Sequence, residues 1–191
     1  MTRLPPRLLI AAYGQGAFPM GDGASIDWYS PDPRAVIPLE TFCIPRTLRS
    51  ALRRPGWQTR VNTAFTETIR ACADRPDGTW ITPPIIRAYE DLHELGWAHS
   101  VEVWRDDALI GGLYGVAVGG AFFGESMFHR QRDASKVALV RLVERLRERG
   151  FALLDIQFTT HHLRRFGAVE IPRSAYLQRL AGAVAASCRF A

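Results

Sequence analysis

A chain of 191 residues has room for one large domain, or for one domain with a small companion. Its 47% hydrophobic and 23% charged residues exclude a disordered chain, and no apolar run approaches the length of a membrane span. The net charge of +5 leans toward an anionic partner, but Lys136 is the one lysine among 24 basic residues, so an arginine-biased composition explains part of it. Three widely spaced cysteines, Cys43, Cys72 and Cys188, suit reduced thiols better than a disulfide framework. The start, with Arg3, Pro5, Pro6 and Arg7 before a brief apolar stretch at 8–12, lacks the length and cleavage region of a secretory signal. The expectation is a cytoplasmic protein with no membrane partner.

In chain order, a short helix is predicted at 6–13, ended by Gly14, Gly16 and the Phe18-Pro19 step. Pro31, Pro33 and Pro38 make 29–38 an extended loop holding one short strand at about 35–37. Residues 46–54 read as a basic helix stopped by Pro55-Gly56, and 58–61 as a strand. Asn62 or Thr63 is expected to cap a helix reaching about residue 73, with Glu67 in its first turns. Pro83-Pro84 opens another helix, with Ile85, Ile86, Tyr89, Leu92 and Leu95 at helical spacing and Gly96 as its stop.

The pattern then changes to three strand-like runs at 100–104, 109–118 and 121–127, joined by Asp106-Asp107 and Gly119-Gly120 turns. A long amphipathic helix follows at 134–149, with Gly150 as its C-terminal stop. A central strand at 153–158 and helices at 161–166 and 173–186 complete the chain. This order predicts an α/β (α+β) protein with a mixed sheet and a GNAT-like N-acyltransferase core. Residues 1–62 are expected to form a smaller N-terminal lobe and 63–191 the catalytic domain.

Several familiar motifs fail on geometry. His93 and His99 stand six apart, which puts them on different helix faces, so no metal site is expected there. The run from Gly124 to Phe128 lacks the second glycine of a nucleophile elbow. The series Gly111, Gly112, Gly115, Gly119, Gly120 lies in strand pattern and marks bulges or a close backbone approach by a ligand. Arg147-Glu148-Arg149-Gly150-Phe151-Ala152 matches the pyrophosphate turn of acyl-CoA enzymes by letters, but it ends a helix, where the dipole repels phosphate. The corresponding turn, His129-Arg130-Gln131-Arg132-Asp133, has no glycine. No CoA and no other cofactor is therefore expected.

What remains is a set of blocks in order: Trp28-Tyr29-Ser30-Pro31-Asp32-Pro33-Arg34, Thr79-Trp80-Ile81-Thr82, His99-Ser100-Val101-Glu102-Val103-Trp104, Phe123-Gly124-Glu125-Ser126-Met127-Phe128, Ala134-Ser135-Lys136 and Asp155-Ile156-Gln157. Together they resemble the leucyl/phenylalanyl-tRNA–protein transferase family, over nearly the whole chain. Two departures stand out: a short N-terminus without the family's glycine-rich lead-in, and Met20 after Pro19 where members usually carry tryptophan.

The resemblance implies that the α-amine of a protein beginning with Arg or Lys attacks the aminoacyl ester of Leu-, Phe- or Met-tRNA, which marks the protein for N-degron-type degradation. It implies that Gln157 accepts a hydrogen bond from the attacking amine while Asp155 holds and polarises Gln157, and that Glu125 meets the cationic acceptor residue. Trp28 and Trp80 are implied to stack on the 3′-terminal adenosine. Leu113, Phe122, Ser126, Leu139, Leu142 and Leu154 are implied to hold the aminoacyl 3′ end. Arg46, Arg49, Arg53 and Arg54 offer a phosphate track for the acceptor stem, with Arg46, Arg49 and Arg53 on one helix face. Trp57, Trp97 and Trp104 read as core. Two other readings stay open on residues alone: a small-molecule N-acyltransferase using acyl-CoA, and a non-catalytic RNA-binding module that leaves Glu125, Asp155 and Gln157 idle.

Overall fold

The computed structural model describes residues 4–23 and 25–191. Helix α1 (Pro6–Gly14) leads into a hairpin of β1 (Phe18–Asp22) and β2 (Ser25–Tyr29). Strand β3 (Arg34–Ile37) and a 3-10 turn (Arg46–Leu48) running into α2 (Arg49–Leu52) precede β4 (Trp57–Val61). Next come α3 (Phe65–Ala73) and α4 (Pro83–Glu94), then the meander β5 (Ala98–Arg105), β6 (Ala108–Val118) and β7 (Ala121–His129). The chain ends with α5 (Ala134–Glu148), β8 (Leu153–Gln157), α6 (His161–Arg164), β9 (Val169–Ile171) and α7 (Arg173–Val184).

The main sheet has seven strands in the order β4-β5-β6-β7-β8-β3-β9. Every neighbouring pair is antiparallel except β7 and β8, which α5 connects as a crossover. This is the mixed α/β sheet that the element order predicts. Residues 34–37 and 57–61, inside the expected N-terminal lobe, supply two of its strands. β3 is inserted between β8 and β9, so the early chain closes one side of the sheet.

Alternation along the strands sorts the core onto two faces. Tyr114, Val116 and Phe123 point toward α1, α3 and α4 with Leu9, Ile69 and Ile85. Leu113, Phe122 and Leu154 point toward α5 with Val140, Leu142 and Val143. The meander turns are built by left-handed residues, Asp106 and Asp107 at φ 48° and 61° and Gly119 at φ 57°. Gly150, at φ 75°, stops α5 as its sequence position predicts.

Two local expectations are corrected and a third is met in part. The basic helix at 46–54 is a 3-10 turn followed by one turn of helix ending at Leu52, so Arg53 and Arg54 lie beyond it. No side chain of residue 62 or 63 caps α3; the buried Glu102 of β5 does so from the neighbouring strand. Its carboxylate accepts from the Thr63 amide at 3.2 Å, the Ala64 amide at 3.4 Å and the Thr63 hydroxyl at 2.8 Å. The glycine series marks a bulge at Gly115, as expected, and elsewhere a close approach by the protein itself. A Cβ on Gly111 would lie 2.5 Å from Ala134 of α5, and one on Gly119 would lie 2.3 Å from the Val184 carbonyl of α7.

Candidate active site

The site forms where β7 and β8 part. The two strands pair through Ala121↔Leu153, Phe122↔Leu154 and Phe123↔Asp155, and no further. β7 bends away because of a bulge: Tyr114 faces Ser126 and Gly115 faces Gly124, which leaves Glu125 as the extra residue. The bulge needs glycine at 115, since a Cβ there would stand 2.2 Å from the Phe123 carbonyl oxygen. On the other side Gln157 turns β8 off its course at φ 56°. The sequence thus opens a gap in the sheet from both sides.

Asp155 lies fully buried at the base of this gap. Arg34 Nε donates to its Oδ1 at 2.9 Å and Arg34 Nη2 to its Oδ2 at 2.6 Å. Tyr176 of α7 donates to Oδ2 at 2.7 Å, and the Gln157 backbone amide to Oδ1 at 2.9 Å. Arg34 is itself buried between the rings of Phe18 and Tyr176, 4.7 and 4.6 Å from their centroids, and gives its remaining nitrogen to the Gly16 carbonyl at 2.9 Å. Burial pushes the guanidinium down, and the bonded Asp155 more than offsets this, so Arg34 stays above its ordinary value. Asp155 therefore fixes the Gln157 backbone, not its side-chain amide. That amide is satisfied when its nitrogen donates to the Gly124 carbonyl at 2.7 Å and the Ile156 carbonyl at 3.1 Å. In this orientation the nitrogen spans the gap to the residue before Glu125.

Glu125 is partly exposed to a cavity yet ringed by protein. Tyr13 of α1 donates to its Oε1 at 2.7 Å and Tyr89 of α4 to its Oε2 at 3.2 Å, and the two tyrosine hydroxyls bond each other. Burial pushes the Glu125 carboxyl up to about 8, with the Tyr13 bond opposing and the charge of Asp155 adding to the rise. The hydroxyls of Tyr13, Tyr89 and Tyr114 are all pushed well above their ordinary range, chiefly by burial.

The cavity has a volume of 440 Å³ and is mostly apolar. Leu113, Ser126, Leu139, Leu142 and Leu154 line it, together with Ile156 and Phe158 of the β8 end. Phe122 does not; it is fully buried and stacks on Phe190 at 5.0 Å. Arg75, Lys136 and His162 supply polar edges. The Tyr114 hydroxyl is buried without a partner on the same wall. Next to the cavity, and sharing Arg75 and Ser126 with it, lies an open hollow lined by Trp80 and residues 76–79. The Trp80 carbonyl accepts from the Gly21 amide at 3.0 Å, which fastens the hairpin bearing the exposed Trp28 beside this hollow.

Arg46, Arg49, Arg53 and Arg54 are all exposed and form no ion pair among the described residues. Arg49 and Arg53 border a shallow groove with Phe42 and Leu52, while Arg54 covers the Trp57 ring at 4.8 Å. Trp97, expected in the core, is 38% exposed. The turn at 129–133 has its Arg130 and Gln131 amides both directed at the Ile110 carbonyl, at 2.8 and 3.2 Å.

Sequence reading misses the buried support of this site: Arg34, Tyr176, Tyr13 and Tyr89. Arg34 carries a signal, a lone arginine before an apolar strand in a proline-rich loop. The three tyrosines sit on apolar helix faces and read as ordinary core.

The site thus lies where the one parallel pair of a mixed seven-stranded sheet parts over an apolar cavity. Solved structures of similar outline include a GCN5-related N-acetyltransferase from Kribbella flavida, with a TM-score of 0.45, 15% identity, and coverage of 73% of this chain and 55% of that one. Another is the L-PGS structure from Bacillus licheniformis, with a TM-score of 0.48, 12% identity, and coverage of 80% and 65%. A family model described as leucyl/phenylalanyl-tRNA protein transferase matches residues 36–181, and one for the N-terminal domain of the same enzymes matches residues 2–32. The leucyl/phenylalanyl-tRNA–protein transferase of Gloeobacter violaceus is 56% identical, over 100% of this chain and 99% of its own length. That of Herpetosiphon aurantiacus is 54% identical, over 98% of each. The chain belongs to the leucyl/phenylalanyl-tRNA–protein transferase family and is an aminoacyltransferase.

Proposed function

We propose that this enzyme moves leucine, phenylalanine or methionine from aminoacyl-tRNA to the α-amine of a protein that begins with Arg or Lys, and so marks that protein for N-degron-type degradation in the cytoplasm. The observation that carries the donor side is the 440 Å³ apolar cavity at the strand gap, which matches an unbranched or branched apolar side chain and is lined by Ile156 and Phe158 on either side of Gln157. The acceptor side rests on Glu125, the one carboxyl among the residues lining that cavity, which faces an incoming cationic residue.

The ester is already activated, so transfer needs alignment of amine and carbonyl and no CoA, ATP or metal. The side-chain oxygen of Gln157 accepts a hydrogen bond from the amine and aims its lone pair. Asp155, clamped by Arg34 and Tyr176, holds Gln157 in the turned conformation that places this oxygen. Leu113, Ser126, Leu139, Leu142 and Leu154 surround the aminoacyl group, with Phe122 behind them as packing. Trp28 and Trp80 hold the terminal adenosine, stacking being the usual way to hold an unpaired base. The four free arginines 46, 49, 53 and 54 meet backbone phosphates of the acceptor stem.

An apolar pocket distinguishes a methylene by only about 1–3 kcal/mol, so Leu, Phe and Met are all accepted and polar aminoacyl groups are rejected. Competition among Leu-, Phe- and Met-tRNA tests this. Leu113→Met is expected to change the Phe-to-Leu ratio and keep transfer, and Leu113→Asp to lose nearly all of it. Full activity in Leu113→Asp would remove this cavity from the donor site.

A further inference from the structure

We propose that Glu125, closed into a ring of hydrogen bonds with Tyr13 and Tyr89, is the proton carrier of the transfer: it takes the proton from the attacking nitrogen and hands it to the departing 3′-oxygen. The inference rests on the donor and acceptor assigned above. It answers a gap in that assignment, because an amide oxygen is far too weakly basic to keep a proton, so Gln157 can aim the amine but cannot deprotonate it. Asp155 cannot serve either, since four hydrogen bonds fill its two oxygens. Glu125 is the carboxyl that remains on the cavity wall.

The ring makes the carboxyl suited to both halves of the task. Three hydrogen bonds join Glu125, Tyr13 and Tyr89 in a closed circuit. With Glu125 protonated there is one proton for each of these bonds, and each member donates once and accepts once. With Glu125 ionised both tyrosines can turn their protons onto the carboxylate. The two states differ by small rotations of hydroxyls on buried rings, with little other rearrangement. Other charged or titratable groups facing Glu125 are the buried Tyr114 of β6, Asp155 of β8 and Arg34 of β3. Burial holds the carboxyl at about 8, close to the reference value of about 7.7–8.0 for an α-amine, so proton exchange between them is nearly thermoneutral.

The steps balance. The neutral amine nitrogen bonds to the ester carbon, and the resulting ammonium nitrogen gives a proton to ionised Glu125. The tetrahedral adduct expels the 3′-oxygen as the carbon–oxygen bond breaks. That oxygen takes the proton from Glu125, which returns to its ionised state. Glu125 is the catalytic residue here; Tyr13 and Tyr89 are positioning residues.

The test is kcat/KM for an Arg-starting peptide at saturating Leu-tRNA, from pH 5.5 to 9, in the full-length protein. The reactive state needs both a neutral amine and an ionised Glu125. The logarithmic slope below pH 7 is therefore expected to approach two, and to fall to one in Glu125→Gln, with a loss of about a hundredfold or more at pH 8. Tyr89→Phe and Tyr13→Phe are expected to keep the slope of two but move one limb to higher pH, because each removes a donor to the carboxylate. Affinity for Leu-tRNA, measured alongside, is expected to stay within about threefold in all three variants, which separates a chemical loss from a misfolded site. A slope of one in the unaltered enzyme would overturn the carrier. So would a second limb that persists in Glu125→Gln and vanishes in His162→Gln. No transfer at all by the unaltered enzyme would instead overturn the donor and acceptor reading beneath it.

Discussion

Four hydrogen bonds saturate Asp155, and this decides what its removal does. A buried ion pair broken on one side typically costs about 3–5 kcal/mol, because the surviving charge is left without a partner. Asp155→Ala strands the buried Arg34 guanidinium, so it is expected to lose that much stability and, with it, the shape of the site. Gln157→Ala removes two bonds to backbone carbonyls and strands no charge. Its expected cost is below about 2 kcal/mol, while turnover falls by roughly a hundredfold. Urea unfolding of both variants checks the contrast; equal destabilisation would mean that Asp155 is not the strut of this site. Asp155 and Gln157 are legible in the sequence as an adjacent pair on one strand. The manner of their coupling is not, because it runs through a backbone amide and through Arg34, 121 positions away in the chain from Asp155.

Among the elements, the bulge between β6 and β7 sets Glu125 apart from the strand register, and the roles proposed for Glu125 depend on it. Gly115→Ala would drive a methyl to 2.2 Å from a backbone oxygen that cannot move away cheaply. The expected result is a flattened bulge, a loss of about 2 kcal/mol or more, and transfer near background even at temperatures where the protein stays folded. Thermal unfolding together with the transfer assay reads both; wild-type activity in Gly115→Ala would show that the bulge is not needed. The meander, α5 and β8 are readable because each has a strong period of its own and a clear turn or stop. The β1–β2 hairpin escapes a sequence reading because Pro19 and Gly21 weaken its strand pattern. β9 is three residues long and owes its state to pairing with β3. The basic run at 46–54 suggests more helix than forms, since charge spacing alone, without a cap or an apolar stripe, does not sustain a long helix.

For the whole molecule, charge and pH give two further expectations. The proposed contact with tRNA phosphates rests on the exposed arginines around α2. Arg49→Ala with Arg53→Ala is expected to weaken tRNA binding and to lower its salt dependence by about one slope unit for each phosphate no longer neutralised. Unchanged affinity and slope would make this face merely solvated. The second expectation concerns stability. The Glu125 carboxyl at about 8 lies above its ordinary 4.5, so the fold prefers it protonated; this contribution is full below about pH 4.5 and is lost as pH rises through 8. His99, chiefly through burial and then the neighbouring His93, is lowered to about 4 from 6.5, so its contribution is full above pH 6.5 and is lost as pH falls through 4. The two contributions offset each other between about pH 4.5 and 6.5, so stability should be level there and fall as pH rises from 6.5 to 8, and Glu125→Gln should gain on the unaltered protein steadily between pH 5 and 8. A constant difference across that range would contradict the burial of Glu125.

The central claim is aminoacyl transfer from tRNA at the gap between β7 and β8. Its most direct measurement is single-turnover transfer of labelled leucine from Leu-tRNA to peptides that differ only in their first residue, in buffer with chelator and without ATP or CoA. Rapid labelling of the Arg- and Lys-starting peptides is expected, with none of their Glu- or Met-starting counterparts, and a rate lower by roughly a hundredfold in Gln157→Ala at unchanged Leu-tRNA affinity. Labelling that ignores the first residue, that keeps its full rate in Gln157→Ala, or that requires an acyl-CoA donor would contradict it.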